Sequence, residues 1–129
     1  DVYKRQVLSV YENIVLPVEL DGRKIDKDFL DDVLDILSLK EKIFNLPNTL
    51  SGGQQQRVAI ARAIISKPAV ILADEPTGNL DSKTSGDVIK LLRTVNQRFE
   101  QTLIMITHNL EIAQLSDRII NIIDGKVDI

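Results

Sequence analysis

Cysteine is absent from the 129-residue sequence, and so is tryptophan. The lack of cysteine excludes disulfides, zinc sites built on thiolates and thiol catalysis, and it is consistent with a reducing compartment. Aromatic residues make up only 4% of the chain, and the formal net charge is −3 at pH 7. The chain therefore lacks both the stacking platform and the basic surface that are typical of nucleic-acid binders, so no nucleic acid is expected as a partner.

Long hydrophobic runs are missing as well. The strongly apolar stretches, such as 58–65 and 103–106, are short or interrupted by Arg62, and they fall well below the roughly 18 residues that a helix needs to span a bilayer. The N-terminus has no basic-then-apolar signal pattern, and residue 1 is Asp rather than Met. At 14.5 kDa the chain has room for one domain or part of one, and we expect it to be a fragment of a longer reading frame.

Two helices are predicted in the first 50 residues. Ser9 and Glu12 form a capping-box pattern, so a helix begins near Ser9 and is bent or ended around Pro17. Asp26 can cap a second, amphipathic helix. The apolar positions of this second helix are Phe29, Leu30, Val33, Leu34 and Leu37. The segment contains no convincing buried strand, which favours a helical subdomain.

Strands and helices alternate in the rest of the chain. Ser51, with Gln54 three residues later, satisfies the capping-box rule for a helix from about Gly52 to Ser66. The apolar runs 70–73 and 102–107 predict strands that are buried on both faces of a parallel sheet, with a helix between them that starts at residue 81 or 82. A short helix at 110–115 and a strand at 118–123 follow, and Asp124-Gly125 predicts a terminal hairpin. This order implies an α/β fold, a parallel sheet with flanking helices.

A further absence bears on the chemistry, because no Gly-x-x-x-x-Gly-Lys-Ser/Thr phosphate loop occurs in the sequence. The helix predicted to begin at Gly52 nevertheless offers free backbone N–H groups and a partial positive charge. Gly52 and Gly53 put no side chain in the way of a phosphate. Ser51, Gly52, Gly53 and Gln54 are therefore candidate anion-binding residues. The alternative is that Ser51 only caps the helix and the glycines form a turn.

Two adjacent carboxylates, Asp74 and Glu75, follow the apolar run 70–73. They lie at the carboxyl end of a predicted strand, where α/β sheets bind their ligands. Asp74 can hold Mg²⁺ there through water, while Glu75 can orient and deprotonate a water that attacks a terminal phosphate. The alternative is a helix cap or a salt-bridged pair.

His108 and Asp81 extend this candidate site. His108 follows the second predicted strand and could face the same crevice as Glu75, where an imidazole can bridge a phosphate oxygen and the attacking water. A lone histidine can equally be a structural residue. Asp81 lies six residues after Glu75, and its simplest interpretation is the N-cap of the following helix.

Four segments together resemble the motifs of ABC-type ATPases, in the same order and at suitable spacing. Residues 50–54 (LSGGQ) resemble the signature motif, 70–77 the Walker B segment, 79–81 the D-loop and 107–108 the switch histidine. The runs 50–63 and 74–82 are similar to one branch in particular, the lipoprotein-release, macrolide-export and antimicrobial-peptide resistance transporters. Residues 12–17 also resemble the start of the helical subdomain in that branch, so the resemblance covers residues 7–129.

The resemblance implies a partial P-loop NTPase fold with ATP and Mg²⁺ as cofactors, and a head-to-tail dimer with a second ABC ATPase subunit. The signature residues 51–54 would act in trans on a nucleotide held mainly by that subunit. Asp74, Glu75 and His108 would act in cis, and Asp81 would lie at the dimer seam. The helical subdomain would receive the cytoplasmic loops of a membrane-spanning permease, which places the protein on the cytoplasmic face of the cell membrane.

The sequence departs from the family pattern at its N-terminal end. The phosphate loop and the adenine-stacking aromatic are missing, and Gln6 lies too close to Glu12 to inherit the role of the Q-loop glutamine. Residues 1–6 match nothing in the pattern and are interpreted as a junction. We expect residues 7–50 to form the helical subdomain and residues 51–129 the signature helix and the C-terminal part of the ATPase core.

Two alternatives remain open on function. One is a non-transport ABC ATPase of the cell-division, DNA-repair or translation-factor type. The other is that the chain is inactive alone, because it lacks the loop that grips the β- and γ-phosphates. The transported substrate is not predictable from these residues, since specificity belongs to the membrane-spanning partner.

Overall fold

The first helix begins at the capping box that the sequence predicts. The structure is a computed structural model that describes residues 8–128, so the predicted junction at residues 1–6 lies outside it. Helix α1 spans Val10–Leu20, with the predicted Ser9–Glu12 capping box at its start. The helix does not end at Pro17, contrary to one of the two predicted outcomes. Pro17 lies in the last turn, where Val18 is still buried and holds the helix against the core.

Helix α2 spans Lys27–Ile36 and begins at Asp26, whose Oδ1 accepts a hydrogen bond from Phe29 N at 3.1 Å. Two short 3₁₀ segments follow it, Lys40–Lys42 and Pro47–Thr49. The ring of Phe29 meets that of Phe99 edge to face, with centroids 5.0 Å apart. One buried cluster runs from Val10 to Val95, so the residues before and after position 50 share a hydrophobic core.

Helix α3 spans Gly52–Ile64 and stops two residues before the predicted end. Lys67 adopts a positive φ of 56° ahead of Pro68, which ends the helical path. The buried side of α3 contains Val58, Ile60 and Ile64, and α3 packs against both α1 and the helix that follows the first strand.

A two-stranded parallel sheet carries the candidate catalytic residues. Strand β1 is Val70–Asp74, strand β2 is Thr102–Ile106, and helix α4, Ser82–Arg98, crosses between them. Leu72 pairs with Ile104, and Asp74 pairs with Ile106. The parallel pairing places the carboxyl ends of both strands at one edge, as the sequence predicts.

The prediction that these strands are buried on both faces is wrong for the described part of the chain. Ile71 points into the core and is 8% exposed, whereas Leu72 is 78% exposed. The outer face also contains Val70, Ile104 and Ile106, all more than 40% exposed. The buried cluster that contains Ile71 and the helices lies on the other face, so alternate residues of each strand stay uncovered.

The C-terminal region is shorter in regular structure than predicted. Helix α5 covers Leu110–Ala113, and strands β3, Asn121–Ile123, and β4, Lys126–Asp128, form an antiparallel hairpin. Asp124 and Gly125 both have positive φ, at 51° and 74°, as a tight hairpin turn of this kind requires. Residues 118–120, predicted as strand, lie outside it. Among residues 8–128, no helix has the length and apolar character to cross a bilayer.

Candidate functional site

The two strand ends bring Glu75 and His108 into contact. Glu75 follows β1 directly, and its backbone N–H donates to the carbonyl of Ile106 at 2.8 Å, which continues the ladder one step beyond the strand. His108 follows β2 by two residues. Its Nε2 lies 2.9 Å from Glu75 Oε1, within hydrogen-bond distance. The parallel register therefore joins two side chains that the sequence separates widely.

Both side chains remain accessible. The His108 side chain is 92% exposed, and that of Glu75 is 43% exposed. Such a pair contributes little to stability, because water screens it and both side chains lose freedom on pairing. An accessible carboxylate and imidazole at the carboxyl edge of a sheet are instead available to a ligand.

Glu75 has an unusual backbone conformation. Its φ is 44°, in the left-handed region that residues with a β-carbon rarely adopt. The turn that follows is closed by a hydrogen bond from Gly78 N to Glu75 O at 3.1 Å. Such conformations cluster at functional sites, where the surroundings hold the residue in place. Glu75 is one of five non-glycine residues with positive φ among residues 8–128, and it is the one that directly follows β1.

Asp74, the predicted metal ligand, is exposed at the last position of β1, opposite Ile106. Within residues 8–128, no cluster of three or more His, Cys, Asp or Glu side chains is arranged to hold a metal. A lone accessible carboxylate nevertheless fits Mg²⁺, which is often held by one or two carboxylates together with substrate phosphates and water. Asp74 offers hard oxygen donors of that kind beside Glu75.

The start of α3 is a complete capping box. Ser51 Oγ accepts from Gln54 N at 3.2 Å, and Gln54 Oε1 accepts from Ser51 N at 3.0 Å. The first intrahelical bond runs from Gln55 N to Ser51 O. The capping role that the sequence left as an alternative is therefore present. It leaves the amides of Gly52 and Gly53 in the first turn, ahead of that bond, as the groups that a helix start offers to an anion.

The two glycines are also needed for packing. A β-carbon at Gly53 would come within 2.7 Å of Thr84 Cγ2, and one at Gly52 within 3.2 Å of Leu80 Cδ2. The first turn of α3 thus lies against the first turn of α4 and the residue Leu80 that precedes it. The sequence interpretation assigned these glycines to phosphate access or to a turn and missed this contact, since nothing local to residues 52–53 indicates it.

Asp81 caps α4, as the simplest interpretation predicted. Its Oδ1 accepts from Thr84 N at 2.8 Å. The backbone hydrogen bond from Thr84 lowers the pKa of this carboxyl from its ordinary value of 3.8, and a hydrogen bond from the Thr84 side chain adds to the effect. Thr84 therefore contacts both the Asp81 cap and the space beside Gly53.

Gln56 is a residue of this region that the sequence interpretation missed. Its Nε2 donates to the carbonyl of Pro76 at 2.7 Å, across 20 positions of sequence. Spacing could have drawn attention to it, because Gln56, Ala59, Ile60 and Ala63 recur at helical intervals and all line the side of α3 that faces β1. An open, mainly apolar cleft of about 180 Å³ lies between these elements, and it includes Asp74 but neither Glu75 nor His108.

The structure thus forms two groups. Glu75 and His108 are in contact, with Asp74 adjacent in the chain, while Ser51 and Gln54 bond to each other at the start of α3. The hydrogen bond between Gln56 and Pro76 and the packing of the glycines on Leu80 and Thr84 connect the two groups.

Known proteins are similar to this chain in sequence. LolD, the ATP-binding protein of a lipoprotein-releasing system in Rickettsia typhi, is 46% identical over 124 residues, which are 94% of this chain and 56% of LolD. LolD 1 of Chlorobium chlorochromatii is 44% identical over 122 residues, 92% of this chain and 50% of that protein. A putative ABC transporter ATP-binding protein of Mycoplasma genitalium, MG467, is 42% identical over 130 residues, 98% of this chain and 42% of its own length. The chain spans about half the length of these curated relatives.

Solved structures agree on the fold. The ATP-binding cassette MJ0796, in a dimeric post-hydrolysis state bound to ADP and Pi, superimposes with a TM-score of 0.76 at 38% identity, over 95% of this chain and 56% of that one. A second dimeric structure of MJ0796, described as a bacterial ABC transporter cassette, gives 0.75 at 39% identity with the same coverage.

The family assignment rests on sequence and structure together. The sequence profile of the family described as ABC transporter matches residues 3–78, more than half of the chain. The solved cassettes show that the observed fold is that of an ABC ATPase, a P-loop NTPase. From the profile, the relatives and the cassettes alike, the chain belongs to the ABC transporter family.

Proposed function

We propose that the chain is about half of the ATP-hydrolysing subunit of an ABC transporter, and that it supplies the catalytic edge of one site and the signature helix of another. The observation that carries this proposal is the 2.9 Å contact between Glu75 Oε1 and His108 Nε2 at the carboxyl ends of β1 and β2. In α/β folds this edge is where ligands bind.

In this proposal, the exposed polar groups at the edge divide the catalytic work between them. Glu75 accepts a proton from the water that attacks the terminal phosphate of ATP, and its fixed turn aims the carboxylate. His108 holds the Glu75 carboxylate in place and donates to a phosphate oxygen. Asp74 would hold Mg²⁺ with the phosphates. The ion supplies charge neutralisation for the phosphoryl group.

The start of α3 acts on a different nucleotide, the one bound by a second ABC ATPase subunit in a head-to-tail dimer. The amides of Gly52 and Gly53 and the hydroxyl of Ser51 would face its phosphates, with Gln54 closing the cap and Asp81 at the seam. Two similar cassette structures are dimeric, which supports a partner subunit. Helix macrodipoles favour an anion at this end.

The proposed transport role is based on the names of similar proteins. Two of them are named as ATP-binding proteins of lipoprotein-releasing systems, so we propose that ATP hydrolysis energises export or release of a lipoprotein, peptide or drug-like molecule. The helical subdomain predicted for residues 7–50 would contact a membrane-spanning permease. The protein would then sit on the cytoplasmic face of the membrane.

A substitution in the full-length cassette tests the catalytic assignment. Glu75→Gln keeps the size of the side chain but removes the base, so ATP hydrolysis should fall by about two to four orders of magnitude. ATP affinity, measured by fluorescence titration with a labelled analogue, should be retained. Glu19→Gln is the matched control, since Glu19 is an exposed carboxylate on α1 and should leave the rate unchanged. An unchanged rate in Glu75→Gln would remove Glu75 from the mechanism.

The isolated 129 residues should show no ATP hydrolysis. They have no phosphate-loop lysine and no backbone nest for the β- and γ-phosphates. A phosphate-release assay on the purified chain, with Glu75→Gln as the background control, checks this. Turnover that the substitution abolishes would show that the chain is active without that loop.

A further inference from the structure

Gln56 makes a direct hydrogen bond between helix α3 and the loop that carries Glu75. Its Nε2 donates to Pro76 O at 2.7 Å in a partly buried setting. Pro76 is the residue after Glu75, so the bond acts one peptide unit from the carboxylate. Gln56 itself lies in the second turn of the helix that begins at Gly52.

The Glu75 loop needs such a restraint. Glu75 has a φ of 44°, which a residue with a β-carbon keeps only when its surroundings hold it there. The bond from Glu75 N to Ile106 O ties the incoming chain to β2, and the bond from Gly78 N to Glu75 O closes the turn on itself. The bond from Gln56 comes from a third element and holds the outgoing peptide.

The neighbouring glutamine has a different partner. Gln55 Nε2 donates to Pro47 O at 3.0 Å and lies 3.4 Å from Leu50 O, both in the segment before α3. The two adjacent glutamines therefore bond to different segments, one on each of two neighbouring faces of the helix. One holds the loop ahead of the signature segment and the other holds the catalytic loop.

We propose that Gln56 is a positioning residue for Glu75, and that it couples the position of the signature helix to the aim of the catalytic carboxylate. This inference rests on the proposed function, in which Glu75 is the base and the start of α3 binds the partner's nucleotide. A shift of α3 on nucleotide binding moves Gln56, and the Pro76 carbonyl moves with it. A displacement of about 1 Å at a reacting group can cost about a hundredfold in rate.

Steady-state ATP hydrolysis by the full-length cassette tests the coupling. Gln56→Ala removes the amide, and Gln56→Glu keeps the length of the side chain but replaces the donor with a carboxylate. Both should lower kcat by about ten- to a hundredfold and leave the KM for ATP within about twofold. Gln55→Ala is the matched control and should keep kcat within about twofold. A wild-type kcat in both Gln56 variants overturns the inference.

A double substitution separates positioning from general structural damage. If Gln56 acts through Glu75, Gln56→Ala should cause no further loss of single-turnover rate in a Glu75→Gln background, because the group it aims is already gone. Equal losses in both backgrounds would show a structural role and overturn the inference. Hydrogen exchange at the Gly78 amide should also become faster in Gln56→Glu, which gives a readout independent of activity.

The outcomes also distinguish this inference from the proposed function. If Glu75→Gln abolishes hydrolysis while both Gln56 variants keep the wild-type rate, only the positioning role fails. If Glu75→Gln leaves the rate unchanged, the catalytic assignment fails and the positioning role fails with it. If Gln56→Ala does not fold, as judged by circular dichroism, Gln56→Glu decides the result.

Discussion

Adding one methyl group at Gly53 should destabilise the protein through a single identified contact. In Gly53→Ala, the new β-carbon would lie 2.7 Å from Thr84 Cγ2, closer than real β-carbons approach other heavy atoms. Gly53 is buried and Thr84 is β-branched on helix α4, so relief of this contact requires either a different χ1 rotamer at Thr84 or a shift of one helix. The strain should therefore spread to the packing between the start of α3 and α4.

The size of the effect is a balance of two terms. Overpacking by one carbon costs about 1–3 kcal/mol. Replacing glycine by alanine within a helix stabilises the helix by about 1 kcal/mol, because alanine has the higher helix propensity. The net result should be a loss of about 1 kcal/mol in the free energy of unfolding, measured by urea titration of the full-length cassette and followed by circular dichroism.

Two further variants test the cause. Thr84→Ser removes the methyl group that collides but keeps the backbone N–H that donates to Asp81, so adding it to Gly53→Ala should recover most of the loss. Gly86→Ala is the control. Gly86 lies on the same helix as Thr84, but a β-carbon there would meet no atom within 4 Å. It should stabilise the protein by about 0.4–1 kcal/mol. A Gly53→Ala variant as stable as the native protein, or one that Thr84→Ser does not rescue, would refute the packing argument.

Further predictions concern the sheet and the Asp81 cap. Ile71→Ala should cost about 2–5 kcal/mol in the full-length cassette, because Ile71 is 8% exposed. Leu72→Gln should reduce light scattering by the isolated chain, since Leu72 is 78% exposed there; unchanged scattering would mean that this face does not drive association. The lowered pKa of Asp81 means that its contribution to stability is complete above the ordinary value of 3.8 and is lost as the pH falls through the folded-state value. Asp81→Asn keeps a capping oxygen but removes the titrating carboxyl, so the free energy of unfolding from urea titrations should fall less between pH 5 and about pH 2. An unchanged fall would mean that other carboxyls cause it.

Local features of this chain were predicted well because they depend on residues that lie close together in sequence. The capping boxes at Ser9 and Ser51 and the caps at Asp26 and Asp81 each join positions three apart, and all four are observed. The family assignment and the parallel order of the strands were also confirmed. The roles of Asp74, Glu75 and His108 in catalysis stay predictions.

The errors have a common physical origin. The runs 70–73 and 102–107 are apolar, which by itself predicts burial on both faces, but the runs do not show which elements are present to cover them. The outer face of β1 and β2 is exposed in the described residues. The helix was predicted to bend or end around Pro17, but α1 continues to Leu20 because the burial of Val18 stabilises its last turn.

The sequence by itself determined where helices start, where strands end and which chemical groups stand at those points. Tertiary structure alone decided which of these groups meet. The contact of Glu75 with His108 depends on the parallel register of β1 and β2, and the bond from Gln56 to Pro76 depends on how α3 lies against β1. The fit of Gly53 against Thr84 likewise depends on the approach of two helices. Capping is set by a few adjacent dihedral angles, whereas these contacts require the whole chain to close on itself, and no short stretch of residues carries that information.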